Sequence, residues 1–164
     1  MKQSLSLMIW LAAAALAVGC ASVPPRLYTL TPAAESVGGP STLAITVGPV
    51  SIPDAVDRPQ FVLSAGPNQV RADEFNRWAA PLKTDIARIV AENLSLLLGS
   101  PYVSVFPQST TIAPAYRVAI DVVVFDSIPG EKASLTALWS IRSTEHEESS
   151  GSGRAVLSEP VTEK

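Results

Sequence analysis

The N-terminus constrains this chain more than any other stretch. Residues 1–20 read MKQSLSLMIWLAAAALAVGC. Lys2 is a short positive n-region, and Leu5 to Val18 is an apolar run broken only by Ser6. That run has the length of a signal-peptide core and falls short of the roughly 20 apolar residues of a comfortable membrane span. It ends on Gly19-Cys20, and Cys20 is the one cysteine among the 164 residues. A lone thiol cannot form an intramolecular disulfide, and in an oxidising compartment it is a liability. Lipidation uses it up. The alternatives are an ordinary signal peptide with a coincidental cysteine, or an uncleaved anchor helix.

Leu16-Ala17-Val18-Gly19-Cys20 resembles a bacterial lipobox, with Ala17 where Leu is usual. Small Gly19 leaves the scissile bond open to the peptidase, and the Cys20 thiolate is the nucleophile that takes the diacylglyceryl group. Cleavage between Gly19 and Cys20 makes residues 1–19 a signal peptide and 20–26 a lipidated tether. Residues 27–164 then form a single domain. One acyl chain binds a membrane only marginally, and stable anchoring takes two or more. Ala21 follows the cysteine where Asp would favour the inner membrane. The resemblance therefore implies the periplasmic face of the outer membrane.

Charge narrows the partners. Lys2 accounts for one of 12 basic residues, which leaves 11 against 15 acidic in the mature chain, a net of −4. Nucleic-acid binding needs a basic face, and no Lys/Arg cluster is present. The densest charge run, Glu145-His146-Glu147-Glu148, is acidic.

The tether is stiffened by Pro24-Pro25. Strands are expected at Arg26–Leu30, at Leu43–Val50 (ended by Gly48-Pro49) and at Tyr102–Phe106. Tyr116–Phe125 and Ser134–Arg142 pair back on each other, and Ala155–Leu157 adds a short last strand. Gln60–Ser64 and Gln69–Ala72 flank Ala65-Gly66-Pro67-Asn68 as a hairpin. Tyr116–Phe125 is apolar on both faces in its second half and belongs inside the sheet. Ser143–Ser152 is a polar loop.

The clearest helical pattern lies within residues 74–98. Leu82, Ile86, Ile89, Val90, Leu94 and Leu97 form one stripe, with Lys83, Asp85, Arg88 and Glu92 off it. Pro81 places the regular helix from about Ala80 to Leu98, and Gly99 suits its end. The fold class is α/β or α+β: a mixed β-sheet of six or seven strands with one long amphipathic helix packed on it. One helix leaves much of such a sheet uncovered.

Chemistry-bearing residues are few. His146 with Glu145, Glu147 and Glu148 is a conceivable metal set, but sequence neighbours diverge in space unless the loop is ordered. A Ser-His-Asp triad would have to use His146 and lacks a nucleophile-elbow motif. Asp54 and Asp57 have simpler roles in capping a turn or pairing with Arg58. No P-loop is present, so the chain is not an ATPase, and nothing implies a cofactor. Trp78 and Trp139 read as core or half-core residues.

Several blocks in order resemble the ABC-type transport auxiliary lipoproteins, the PqiC/YmbA-like family. They are Tyr28-Thr29-Leu30, Val47-Gly48-Pro49-Val50-Ser51-Ile52-Pro53, Asp57-Arg58-Pro59-Gln60, Glu74 to Leu82, and Glu92-Asn93-Leu94. The resemblance implies a non-enzymatic outer-membrane lipoprotein that works with an ABC permease and an MCE-domain protein in intermembrane lipid transport. It also implies rings of like subunits in some members, and a further C-terminal helix that Pro160–Lys164 do not announce. An envelope hydrolase and a generic structural or assembly lipoprotein are the alternatives. The expected partner surface is Ile52, Pro53, Arg58, Pro59 and Gln60, with Arg77 and Trp78. Its internal reading has Arg58 paired with Asp54 or Asp57 and Trp78 sealing the helix start.

The leader makes the first testable statement. Palmitate labelling of the cell-expressed protein vanishes in Cys20→Ser; equal labelling of the variant would sink the lipobox reading.

Overall fold

The computed structural model describes residues 23–36, 39–107, 112–145 and 150–161. Gly19, Cys20 and His146 lie outside the described residues, as do Glu147 and Glu148. Among the described residues, eight strands and one helix occur in the order β1 (Arg26–Tyr28), β2 (Ile45–Ser51), β3 (Gln60–Gly66), β4 (Gln69–Trp78), α1 (Leu82–Leu98), β5 (Val103–Val105), β6 (Tyr116–Ile128), β7 (Lys132–Ser143) and β8 (Gly151–Pro160). The mixed α+β class expected from the pattern is what the chain adopts. The strands do not form one sheet, however. They divide into a three-stranded sheet, β1-β4-β3, and a five-stranded sheet, β5-β2-β6-β7-β8.

The larger sheet is parallel at β5-β2-β6 and antiparallel at β6-β7-β8. The apolar β6 is its central strand, as a run with two apolar faces requires. Val47, Val118 and Val122 are buried beneath α1, which contributes Leu82, Ile86, Ala87 and Ala91. β2 does not stop at Gly48-Pro49. Its pairing with β6 shifts register between Val47 and Val50 and continues to Ser51. Gly48 takes φ +121°, and a Cβ there would stand 3.0 Å from that of Phe106, so glycine serves both the bulge and the close approach.

Three local expectations need correction. Residues 74–78, expected as a turn ahead of the helix, are strand: β4 runs on to Trp78, with 76–78 beside β1 and Arg77 also beside Gln60 of β3. The helix begins at Leu82 with Pro81 as its N-cap, where a missing N–H costs nothing. Gly99 ends it at φ 61°. The last strand spans ten residues rather than three. Gly151–Pro160 pairs along β7, and Gly153 leaves room for the Trp139 indole; a Cβ there would meet Cζ2 of Trp139 at 2.5 Å. Trp139 sits between Ile120 of β6 and Gly153 of β8 and remains 37% exposed. Ring contact over glycine substituted for the β-branched pattern that marks a strand in sequence.

Asp85 is the charged residue among the buried positions described, beside the polar Thr46, Ser100 and Thr136. It was expected off the apolar stripe, yet it is 4% exposed. The segment after β1 crosses α1 there. Asp85 Oδ2 accepts from the Leu30 N–H at 2.8 Å and from Thr29 Oγ1 at 3.2 Å. Arg88 donates to Asp85 Oδ1 at 2.6 Å and 2.9 Å and to the Leu30 carbonyl at 2.8 Å. About two turns beyond Asp85, Asn93 Oδ1 accepts from the N–H groups of Ala33 and Ala34. Leu97, by contrast, lies on the expected stripe and is 47% exposed, beyond the reach of this crossing.

Burial alone would push the Asp85 carboxyl up. The Leu30 N–H, the Arg88 guanidinium and the Thr29 hydroxyl together outweigh it and hold the carboxyl below its usual range. A depressed folded-state value means the stability is present above the unfolded-state value of about 3.9 and is lost as pH falls through the folded value. Asp85→Ala is expected to cost about 2 kcal/mol at neutral pH, by denaturant melts, and to flatten the acid limb of stability. Glu92→Ala on the exposed side of the same helix changes stability by under about 0.5 kcal/mol. Equal effects would show that Asp85 fixes nothing.

Candidate functional site

The segment between β2 and β3 is an ordered turn. The Pro53 carbonyl accepts from the N–H groups of Val56 at 3.0 Å and Asp57 at 3.2 Å, and Val56 is buried. Ile52 packs into the core with Leu82, Ile86, Val122 and Ala137. Ile52 and Pro53 thus root the turn, and Arg58 and Pro59 are exposed. The Pro59 carbonyl accepts the Trp78 N–H at 2.7 Å, which ties the turn to the end of β4.

Trp78 is the hinge of the arrangement. Its ring lies 4.4 Å from that of Phe61 and 6.2 Å edge-on from Phe125, and Phe61 continues to Tyr28 at 4.9 Å. It forms a wall of two cavities. One, of about 430 Å³, is lined by Arg58, Pro59, Trp78, Pro81 and Lys83 at the start of α1. The other, of about 340 Å³, lies between the sheets and is lined by Gln60, Phe61, Leu63, Phe125, Leu135 and Leu157, among others.

The expected surface residues are therefore only partly convergent. Arg58, Pro59 and Trp78 share the first cavity, and Gln60 and Trp78 share the second. Arg77 turns to Glu74, donating from Nη2 to the carboxylate at 3.0 Å and from Nε to the carbonyl at 3.0 Å; Gln60 reaches the same carboxylate at 3.4 Å.

The internal pairing of Arg58 does not form. Asp57 instead takes Lys83 at 2.8 Å. Hydrogen bonding and the charge of Asp57 hold the Lys83 ammonium above its usual range. Among the described residues the Arg58 guanidinium has no hydrogen bond or ion pair. The exposed guanidinium and the half-buried tryptophan line one cavity, and both residue types are enriched at interface hot spots.

Lys83 and the between-sheet cleft escaped the sequence reading. Lys83 carried a signal, three residues before Ile86 on the polar side of the helix, but its partner across the fold did not. Leu135 and Leu157 read as ordinary strand residues. Among the described residues no three His, Cys, Asp or Glu side chains gather as a metal set, and no helix is long and apolar enough to cross a membrane.

Comparison with known proteins follows this geometry. A search of curated proteins gives no match. Two solved structures share the fold. One is an uncharacterized protein, 17% identical, with a TM-score of 0.64 over 84% of this chain and 81% of that one. The other is a Xanthomonas campestris protein, 16% identical, with a TM-score of 0.57 over 84% of this chain and 77% of that one. The family model described as the ABC-type transport auxiliary lipoprotein component matches residues 28–164. That match takes in both sheets, α1 and the turn that carries Arg58, and the chain belongs to the ABC-type transport auxiliary lipoprotein family.

Proposed function

We propose that this chain is a non-catalytic lipoprotein on the periplasmic face of the outer membrane. It serves an ABC/MCE-type system that moves lipid between the two membranes. Its part is to dock the transport machine through the turn Ile52–Gln60 and the Trp78 wall, and like subunits assemble into a ring on the same principle. Family membership supports the link to an ABC transport system and an envelope location. Ala21 after Cys20, where Asp would favour the inner membrane, supports the outer-membrane assignment.

The observation that carries the docking reading is the unpaired Arg58 on a turn that is already rigid. Pro53 and Pro59 restrict the backbone, and Ile52 and Val56 anchor it from below. A surface ordered before contact loses little entropy on binding. Trp78 supplies apolar area beside it without having to move.

The test is capture of an MCE-domain protein from solubilised envelopes. The wild-type lipoprotein retains it, and Arg58→Ala lowers the affinity about tenfold or more, in keeping with a hot-spot arginine. The variant's stability stays within about 0.5 kcal/mol of wild type, because Arg58 supports no internal contact. If Arg58→Ala binds like wild type, the turn is not the interface. If the wild-type protein captures no MCE-domain protein, the assignment to that system is wrong.

A further inference from the structure

The described chain starts at Val23, three residues after Cys20. An extended chain covers at most ~3.3–3.6 Å per residue, so a lipidated Cys20 holds Val23 within about 11 Å of the bilayer surface and Arg26 within about 22 Å. Pro24-Pro25 stiffens that short span. β1 is in turn fixed to β4. Whatever surrounds the N-terminal end of β1 is therefore the part of the domain nearest the lipid.

Large apolar side chains are exposed there: Val23 at 66%, Leu27 at 66% and Phe75 at 55%. β1 runs parallel to β4 with Arg26 beside Asn76 and Leu27 beside Arg77. Phe75 is thus one position back, level with Pro25. Tyr28 and Trp78 face the aromatic stack, so Leu27 and Arg77, one residue earlier, face away from it.

The exposure of Phe75 is built by the surrounding bonds. Pairing of β3 with β4 jumps from Gln60–Arg77 to Phe61–Asp73, which leaves residues 74–76 opposite no β3 residue. Asp73 Oδ1 accepts from the N–H groups of Phe75 at 2.9 Å and Asn76 at 3.1 Å. Asp73 Oδ2 accepts from Asn76 Nδ2 at 2.8 Å, and the Tyr28 hydroxyl donates to Asn76 Oδ1 at 3.0 Å. Bulges re-aim side chains, and this one holds a phenyl ring in water beside the point where the tether arrives.

We propose that Val23, Leu27 and Phe75 form the surface by which the domain lies on the leaflet that holds its own anchor. The proposal rests on the reading of Cys20 as lipidated. The apolar side chains sit at the boundary between headgroups and acyl chains. The contact fixes the orientation of a domain whose attachment the acyl groups already secure.

The test uses the full lipidated protein in phosphatidylethanolamine–phosphatidylglycerol vesicles. With Cys20 acylated, Phe75→Cys or Leu27→Cys adds the single free thiol of the mature chain, which takes an environment-sensitive fluorophore. Val156→Cys on β8, a position 66% exposed, is the reference. Labels at 75 and 27 shift to the blue and are quenched several-fold more by lipid-borne nitroxide than the label at 156. Equal quenching at all three positions, or none while the protein floats with the vesicles, overturns the membrane surface and leaves the anchor standing. A blue shift without quenching by lipid assigns the patch to contact between copies and also overturns it. A protein that carries no acyl mass on Cys20 and does not float overturns the anchor reading and the proposal together.

Discussion

Two sheets that share no strand are held together at Trp78, and the architecture of the site depends on that contact. The ring touches Phe61 of the small sheet and Phe125 of the large one. It also packs with the core beneath the first turn of α1. Each aromatic pair of this kind contributes about 0.5–1.5 kcal/mol beyond the area it buries. The larger consequence is geometric. With Trp78 fixed on three sides, the Pro59 carbonyl that accepts its N–H is fixed as well. The turn that presents Arg58 inherits its position from the core.

A second fastening complements the first by polar means. The chain leaving β1 has no sheet partner over Thr29–Ala34, so its N–H groups need acceptors elsewhere. Asp85 and Asn93, two turns apart on one side of α1, supply them. A carboxylate buried for this purpose costs desolvation, and Arg88 offsets the cost while also binding the Leu30 carbonyl. The same helix thus presents Val90 and Leu94 to the large sheet and holds the N-terminal strap. Its two faces are distinguished by what they satisfy, apolar area on one and backbone donors on the other.

This explains what could be read from the sequence and what could not. The β6–β7 hairpin, the central place of β6 and the helix stop at Gly99 follow from local pattern, and all are present. Asp85 was misplaced because a buried carboxylate looks like a surface one until its partner, fifty-five residues away, is known. The division into two sheets was hidden for a similar reason. β1 and β4 pair although β2 and β3 lie between them in the chain, and no periodicity reports which strand lies beside which. Residues 74–78 carry charges and a tryptophan before a strong helix and read as a turn; the pairing of 76–78 with β1, a strand distant in the chain, makes them strand. Of the expected surface, Arg58, Pro59 and Trp78 converge, and Arg77 is drawn off by Glu74. A pair three residues apart on one strand, bent by a bulge, is visible only after the bulge is known.

The parallel pairing of β1 with β4 gives the domain a direction. Arg26 lies beside Asn76 and Tyr28 beside Trp78, so the chain reaches the aromatic stack within three residues of leaving the tether. A strand rises about 3.3 Å per residue, which sets Trp78 only about 10 Å along β4 from Phe75. No flexible linker intervenes between these points, because Tyr28 is bonded to Asn76 and its carbonyl accepts from Ala79. A load on the N-terminus therefore passes straight to the wall of both cavities and to the turn that carries Arg58. Under the proposed lipidation of Cys20, the anchor would act on more than location: it would set the height and tilt at which Arg58 and Trp78 are presented above the membrane.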